Sequence, residues 1–311
     1  MRILITGGSG LLGSNLALQY TRFRRTYQVN VHTLYLSHKI VDERCYPHRC
    51  DLVDDAYTIK LLDAIKPQLL IHCAALTDLD YAERNPEAAH QINVEVTGRL
   101  ARWAHKHKAR FIYISTDSIF GMERDQPFNE DDKPLPLSVY ARTKLAGENI
   151  TLSECPNSLI VRTCIVGINA VNKLSMAEWF LEQLQAGRVI NGFDDLWFSP
   201  IFAHDLAGAL AHCWEKDLRG VYHIGGATHL TKYDFARRLA TRFNYDINLI
   251  RPAKSGDARF VAPRPPTPRL DSSRFVRDSA MRLFSIGEAL ARFKYFYYGN
   301  YRDRLKAMIG E

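Results

Sequence analysis

The chain opens on a short apolar run, Arg2–Thr6, that ends in Gly7-Gly-Ser-Gly-Leu-Leu-Gly13. Nothing else in the sequence narrows the fold as much. Gly7, Gly10 and Gly13 follow a G-x-x-G-x-x-G spacing, and Leu11 to Tyr20 then shows helical periodicity. Gly7 permits a tight turn, Gly10 lets the backbone approach a pyrophosphate, and Gly13 lets the helix pack close to the strand. Free amides at the helix start, around Leu11, Leu12 and Gly13, point at bound phosphates. A glycine turn that follows a strand and opens a helix predicts a dinucleotide-binding unit.

The first half of the chain alternates strand-like and helix-like segments. Strands are expected at Val29–Tyr35, at Leu69–Cys73 after Pro67, at Arg110–Ser115 and at Leu159–Arg162. Helices are expected over Ala82–Lys108, with a break near Pro86, and over Val139–Ser153. Beyond about residue 165 the pattern is less regular. Thr231-Lys-Tyr-Asp234 reads as a capping box opening a helix to about Phe243. Pro263–Pro268, with four prolines in six residues, reads as an extended loop, and the chain from Ile286 onward as helix. The fold class is therefore α/β: a Rossmann-type doubly wound parallel sheet over residues 1–165, with a smaller composite C-terminal substrate lobe over 166–311. Some segments of that lobe are expected to return to the first domain.

Composition excludes several classes. The apolar runs are too short and interrupted to cross a bilayer, so no membrane role is expected. A strand beginning at Met1 leaves no room for a signal peptide, which makes a cytoplasmic protein the expectation. The six cysteines form no C-x-x-C pair and read as reduced. Cys45, His48, Cys50 and Asp51 cluster in sequence but lack a second ligand pair, so no metal is expected. The net charge of +7 comes from scattered groups such as Arg22-Phe-Arg-Arg25 and His105-Lys-His-Lys108. That is a solvated basic surface able to attract nucleotide phosphates, with no basic–aromatic stripe for nucleic acid.

The end of the second strand bears on which nicotinamide nucleotide is used. NAD-preferring folds usually carry an acid there for the ribose hydroxyls. This chain reads Leu34-Tyr-Leu-Ser-His-Lys39, with no acid before Asp42. Ser37, His38 and Lys39 are suited to a 2′-phosphate, which favours NADP(H) and leaves NAD(H) possible.

Tyr140 and Lys144 lie four residues apart and so share one helix face. An ammonium beside a phenol lowers its pKa, which predicts a proton-exchanging group near neutral pH. Ile114-Ser-Thr-Asp117 closes a parallel strand, at the end where sites form in such sheets. A hydroxyl from Thr116 or Ser115 is placed to donate to a substrate carbonyl. The competing reading of Ser-Thr-Asp is a turn or helix cap.

With these pieces the chain resembles the extended short-chain dehydrogenase/reductases, and within them the dTDP-4-dehydrorhamnose reductase family. The resemblance rests on Thr6–Gly13, Cys73-Ala-Ala75, Ile92-Asn93, Ser115–Phe120, Pro136–Glu148, Val161-Arg-Thr163 and Pro268–Phe275, and spans nearly the whole chain. It implies that Thr116, Tyr140 and Lys144 are catalytic. It implies that Asp51 and Leu52 meet the adenine, that Cys73, Ala74 and Ala75 form a wall beside the cofactor, and that Cys164–Val166 pass near the nicotinamide. Asn93 and Ser115 are further cofactor candidates. Thr77, Asp78, Asp80, Asp117, Ser118 and Arg269 are implied on the substrate side.

The implied reaction is reduction of a nucleotide-linked 4-keto-deoxysugar, with hydride delivered to C4 and a proton from Tyr140, by a monomer or homodimer. Departures from the family pattern fall around the sugar. Ser118 stands where a tyrosine is usual, Cys164-Ile165 where a tryptophan is usual, and Phe198-Ser-Pro-Ile201 replaces Gly-x-Pro-Thr. Asn15 takes the place of a glutamate that bridges metal in some relatives. An epimerase or dehydratase with tightly bound cofactor remains open. So does a partner role, because Ile71–Ala75, Thr231–Tyr233 and Arg269–Asp271 also resemble the NADP-binding regulatory subunit of methionine adenosyltransferase.

Overall fold

The structure is a computed structural model, and it describes residues 1–21 and 29–310. The basic run Arg22–Arg25 lies outside the described residues. Six strands, β1 (Arg2–Thr6), β2 (Asn30–Tyr35), β3 (Cys45–Arg49), β4 (Leu69–His72), β5 (Arg110–Ile114) and β6 (Leu159–Arg162), join Gly220–His223 in one sheet. The order is Gly220–His223, β6, β5, β4, β1, β2, β3, and every pairing is parallel. This is the α/β parallel sheet that the sequence led us to expect.

Helices cover both faces, so central strands read as continuous apolar runs. In β1 the pleat sends Ile3 and Ile5 into a core shared with Leu16, Phe202 and Leu206, while Leu4 joins Leu70, Leu100 and Phe111 on the opposite face. The strand order reverses between β1 and β4. Ligands bind outside the carboxyl ends of the strands at such a switch point, and there the glycine turn meets Cys73–Ala75.

The Pro86 break is present. Helix Leu79–Arg84 is followed by Pro86–His90 with proline in its first turn, then by a π-turn, Gln91–Glu95, and by helix Val96–Lys106. Ser138 caps Val139–Glu154, accepting from the Ala141 amide. Thr231 likewise caps Lys232–Phe243, accepting from the Asp234 amide.

The strand β3 is not evident from periodicity. It is polar and contains Pro47, which only an edge strand tolerates, and β3 is the sheet edge. The three-residue offset sends Cys45 and His48 to opposite faces. The Cys45 thiol meets the Thr33 hydroxyl at 3.7 Å, His48 Nε2 meets His32 Nδ1 at 3.0 Å, and the Cys50 thiol meets the Thr58 hydroxyl at 3.5 Å. Among the described residues no three His, Cys, Asp or Glu side chains are grouped to hold a metal ion.

Past residue 165 the chain forms three two-stranded pairs, Ile165–Val166 with Ile201–Phe202, Trp197–Phe198 with Leu230–Thr231, and Ile190–Phe193 with Ile250–Ala253. The proline-rich loop runs without regular structure across this region, and the Trp197 amide donates to the Pro266 carbonyl at 2.8 Å. The C-terminal helical stretch is two helices, Ile286–Tyr298 and Asn300–Ala307. Among the described residues no helix is long and apolar enough to cross a membrane.

Candidate active site

Gly7 has φ +61°, and a Cβ there would lie 2.9 Å from the Ala74 backbone. The turn therefore touches the end of β4 directly. A Cβ on Gly13 would run into the Gly7 carbonyl, so Gly13 seats its helix on the turn itself. The helix Leu11–Tyr20 has no side-chain cap and no acid in its first turn. Its open amides, around Leu11, Leu12 and Gly13, fit an anionic pyrophosphate. Thr6 holds the other wall, its hydroxyl accepting from the Cys73 and Ala74 amides, both at 3.1 Å.

The loop after β2 leaves Ser37, His38 and Lys39 exposed at the carboxyl edge of the sheet. Asp42 is occupied by Arg44, whose guanidinium holds the carboxyl below its usual range. Asp51 is exposed and accepts from the Val53 amide at 3.0 Å, while the Leu52 carbonyl accepts from Arg99. Asn93 is buried at the π-turn. Its amide group brackets the Leu76 backbone, accepting from N–H at 2.9 Å and donating to C=O at 3.2 Å, and it also donates to the Thr143 hydroxyl. Its side chain thus ties the Leu76 backbone to Thr143 on the helix Val139–Glu154.

Thr116, Tyr140 and Lys144 are all buried at the end of β5. Thr116 donates to the Asp117 carboxylate at 3.2 Å and accepts from the Ser118 amide at 3.1 Å. It is therefore a turn cap as well as a group beside the phenol, whose pKa it acts to lower. Lys144 Nζ donates to the Ile114 carbonyl at 2.7 Å and lies 4.0 Å from the Tyr113 ring centre.

The expected lowering of the phenol pKa by Lys144 is not what this pocket does. Burial pushes Tyr140 above its ordinary value, with Asp117 and Cys164 adding to the rise and Thr116 opposing it. Burial likewise lowers Lys144 to about 7, against the pull of Glu148. Desolvation dominates at both groups, and the ammonium is spent on a carbonyl and a ring face.

Between pH 7 and 10.5 the folded protein has lost the Lys144 proton and the unfolded chain keeps it, so stability rises with pH across that window. Urea unfolding of cofactor-free protein should show a larger gain from pH 7 to 10 in wild type than in Lys144→Met. Equal gains would contradict the assignment.

Ser115 is engaged by a buried charged cluster. Its hydroxyl donates to Glu148 at 2.5 Å, and Glu148 is held by Arg162 at 2.8 Å. Arg162 reaches His223 at 3.3 Å, whose other ring nitrogen meets the Phe128 carbonyl at 2.9 Å. Ser118 donates to Asp117 at 3.3 Å. Asp117 is buried, and burial raises its pKa. Cys164 is half-buried beside Asp117, and Val166 is buried.

Several of the substrate candidates have protein partners of their own. Thr77 and Asp78 are exposed, and Asp78 caps the helix Leu79–Arg84. Asp80 is committed to Arg264 at 2.8 Å and to the Ala262 amide at 3.1 Å, so it anchors the proline-rich segment. Arg269 donates to the Arg124 carbonyl at 2.5 Å and stacks 4.8 Å from Trp197. Asn15 is buried, donating to the Leu11 and Ile168 carbonyls and accepting from Tyr301 at 2.6 Å. Sequence reasoning missed Lys232, which faces Asp117 and Cys164. Its only sequence signal was a place inside a capping motif.

Comparison with known proteins matches residues 1–295 to the family model described as RmlD substrate binding domain. The dTDP-4-dehydrorhamnose reductase of Mycolicibacterium smegmatis is 32% identical over 292 residues, covering 93% of this chain and 84% of the relative. Methionine adenosyltransferase 2 subunit beta of Danio rerio is 30% identical over 283 residues, covering 88% and 83%. A solved dTDP-4-dehydrorhamnose reductase from Bacillus anthracis, in complex with NADP, superposes with TM-score 0.81 over 94% of this chain and 98% of its own, at 23% identity. That likeness establishes the fold.

Proposed function

The chain belongs to the RmlD substrate-binding-domain family, and from that premise we propose that it is an NAD(P)H-dependent reductase of a nucleotide-linked 4-keto-deoxysugar. The observation that carries the reading is the burial of Thr116, Tyr140 and Lys144 together, at the carboxyl end of β5 and in the sheet whose switch point carries the uncapped glycine turn. When bound, the nicotinamide supplies the hydride. Tyr140 gives its proton to the oxygen that develops charge at C4. Thr116 donates a hydrogen bond to the same oxygen. Lys144, in its protonated form below about pH 7, stabilises the phenolate left behind, and the dry pocket strengthens both effects. The Gly7–Gly13 turn would hold the pyrophosphate, Cys73–Ala75 and Cys164–Val166 would line the nicotinamide, and Asp51 and Leu52 would border the adenine. The lobe beyond residue 165 would supply most of the sugar pocket.

The test is a panel of nucleotide-linked 4-keto-sugars followed by nicotinamide absorbance with NADH and NADPH. Cofactor consumption with at least one sugar supports the reading. NADPH is the expected preference, because Ser37, His38 and Lys39 are exposed and Asp42 is held by Arg44. Lys39→Ala should raise the KM for NADPH about tenfold, the scale of one lost charge-assisted contact, and leave that for NADH unchanged. Equal changes for both cofactors would remove Lys39 from the 2′-phosphate site.

A second reading, a non-catalytic NADP-binding partner subunit, is favoured by the likeness to methionine adenosyltransferase 2 subunit beta. No turnover across the panel together with co-purification of a synthetase would support it.

A further inference from the structure

Lys232 lies outside the catalytic motifs, and its setting is unusual for a lysine. It is the first residue of the helix Lys232–Phe243, the end whose partial positive charge disfavours a cation. The residue is half-buried, with Nζ 3.3 Å from the centre of the Phe198 ring. Among the described residues Nζ forms no hydrogen bond or ion pair within 4.0 Å. An ammonium carries three donors, and a ring face satisfies none of them fully.

Two short pairings carry this residue to the reaction centre. Leu230–Thr231 runs antiparallel to Trp197–Phe198. After Ser199-Pro200 the chain pairs Ile201–Phe202 with Ile165–Val166, and the Ile201 amide donates to the Cys164 carbonyl at 3.0 Å. The ammonium consequently shares its surroundings with Asp117 and Cys164, the two groups that also face the Tyr140 phenol. Burial lowers the Lys232 pKa, and the nearby Asp117 carboxyl and Cys164 thiol do not offset it. A half-buried ammonium without a protein acceptor keeps its donors free for a ligand to take.

We propose that Lys232 is a substrate-binding residue that takes the phosphate oxygens of the nucleotide-linked sugar. The proposal rests on the reductase reading for its substrate class. The glycine turn serves the cofactor's phosphates, and Lys232 serves the substrate's from the opposite lobe. If Lys232 only neutralised Asp117, its loss would be read in kcat and the pH profile through Thr116 and Tyr140, with nucleotide affinity intact.

The test titrates thymidine diphosphate and uridine diphosphate calorimetrically into NADPH-loaded wild type, Lys232→Met and Lys232→Arg. Lys232→Met should weaken the tighter nucleotide at least tenfold, Lys232→Arg should stay within threefold, and NADPH affinity should stay within twofold in both. If Lys232→Met also loses NADPH, Lys232→Gln replaces it as the uncharged variant. A nucleotide affinity within twofold of wild type in the uncharged variant, or no binding of either nucleotide by wild type, overturns the proposal. Turnover is scored separately. A keto-sugar reduced by wild type and by Lys232→Met with unchanged KM would sink the proposal and keep the reductase reading. Lys232-dependent nucleotide binding in a protein that reduces no sugar would do the reverse.

Discussion

Replacing Tyr140 by phenylalanine should lower kcat for keto-sugar reduction by about 10²–10⁴-fold, the usual span for removal of a positioned general acid, while NADPH affinity stays within twofold. The substitution deletes one oxygen from a side chain only 9% exposed, so the ring's packing against Ala82, Ala89 and Leu79 is retained. What disappears is the proton for the sugar oxygen and the hydroxyl that lies beside Thr116. Burial holds Tyr140 protonated throughout the neutral range, so in the proposed reaction the phenol is an acid and the developing alkoxide would be its base. The pH profile of the wild type should therefore show no loss of rate from Tyr140 ionisation up to pH 9, and a fall that begins near pH 7 belongs to Lys144. A kcat for Tyr140→Phe within threefold of wild type would remove Tyr140 from the chemistry.

Arg162→Met should destabilise the protein by about 3–5 kcal/mol, the scale found when one partner of a buried ion pair is removed. Glu148 is 2% exposed and accepts from Arg162 through both carboxylate oxygens and from Ser115 as well. Without the guanidinium an uncompensated carboxylate stays inside, with Lys144 as the remaining basic group that its charge acts on. The double variant Glu148→Leu with Arg162→Met removes both charges, and it should cost less than the two single losses summed. Urea unfolding of the three variants checks this. A loss below about 1 kcal/mol for Arg162→Met would mean that the cluster is solvated in solution.

The central strands and the glycine turn were legible because their signals are local. An apolar run, three glycines and a helical period all lie within Arg2–Tyr20, and Pro86 marked its break for the same reason. What escaped depends on partners far along the chain. Cys45–Arg49 is a strand only because β2 pairs with it, and its polar face follows from its place at the edge. Asp80 looked available for a sugar until the fold brought Arg264 to it, 184 residues later. Ser115 and Asn93 carry family motifs, yet their side chains serve Glu148 and the Leu76 backbone. Lys144 was expected to tune Tyr140, and a pairwise argument cannot see that one desolvated pocket acts on both groups. Lys232 hid inside a capping motif, since a cap describes a backbone and says nothing of where a long side chain ends.

The most direct test follows the hydride itself. NADPH deuterated at nicotinamide C4 on the transferred face would be supplied with the keto-sugar that the panel selects, and the product read by NMR or mass spectrometry. The account predicts one deuterium at sugar C4 per NADPH consumed by wild type, and the same label at C4, formed about 10²–10⁴-fold more slowly, by Tyr140→Phe. Product formed without NADPH consumption, or carrying no deuterium at C4, would contradict it.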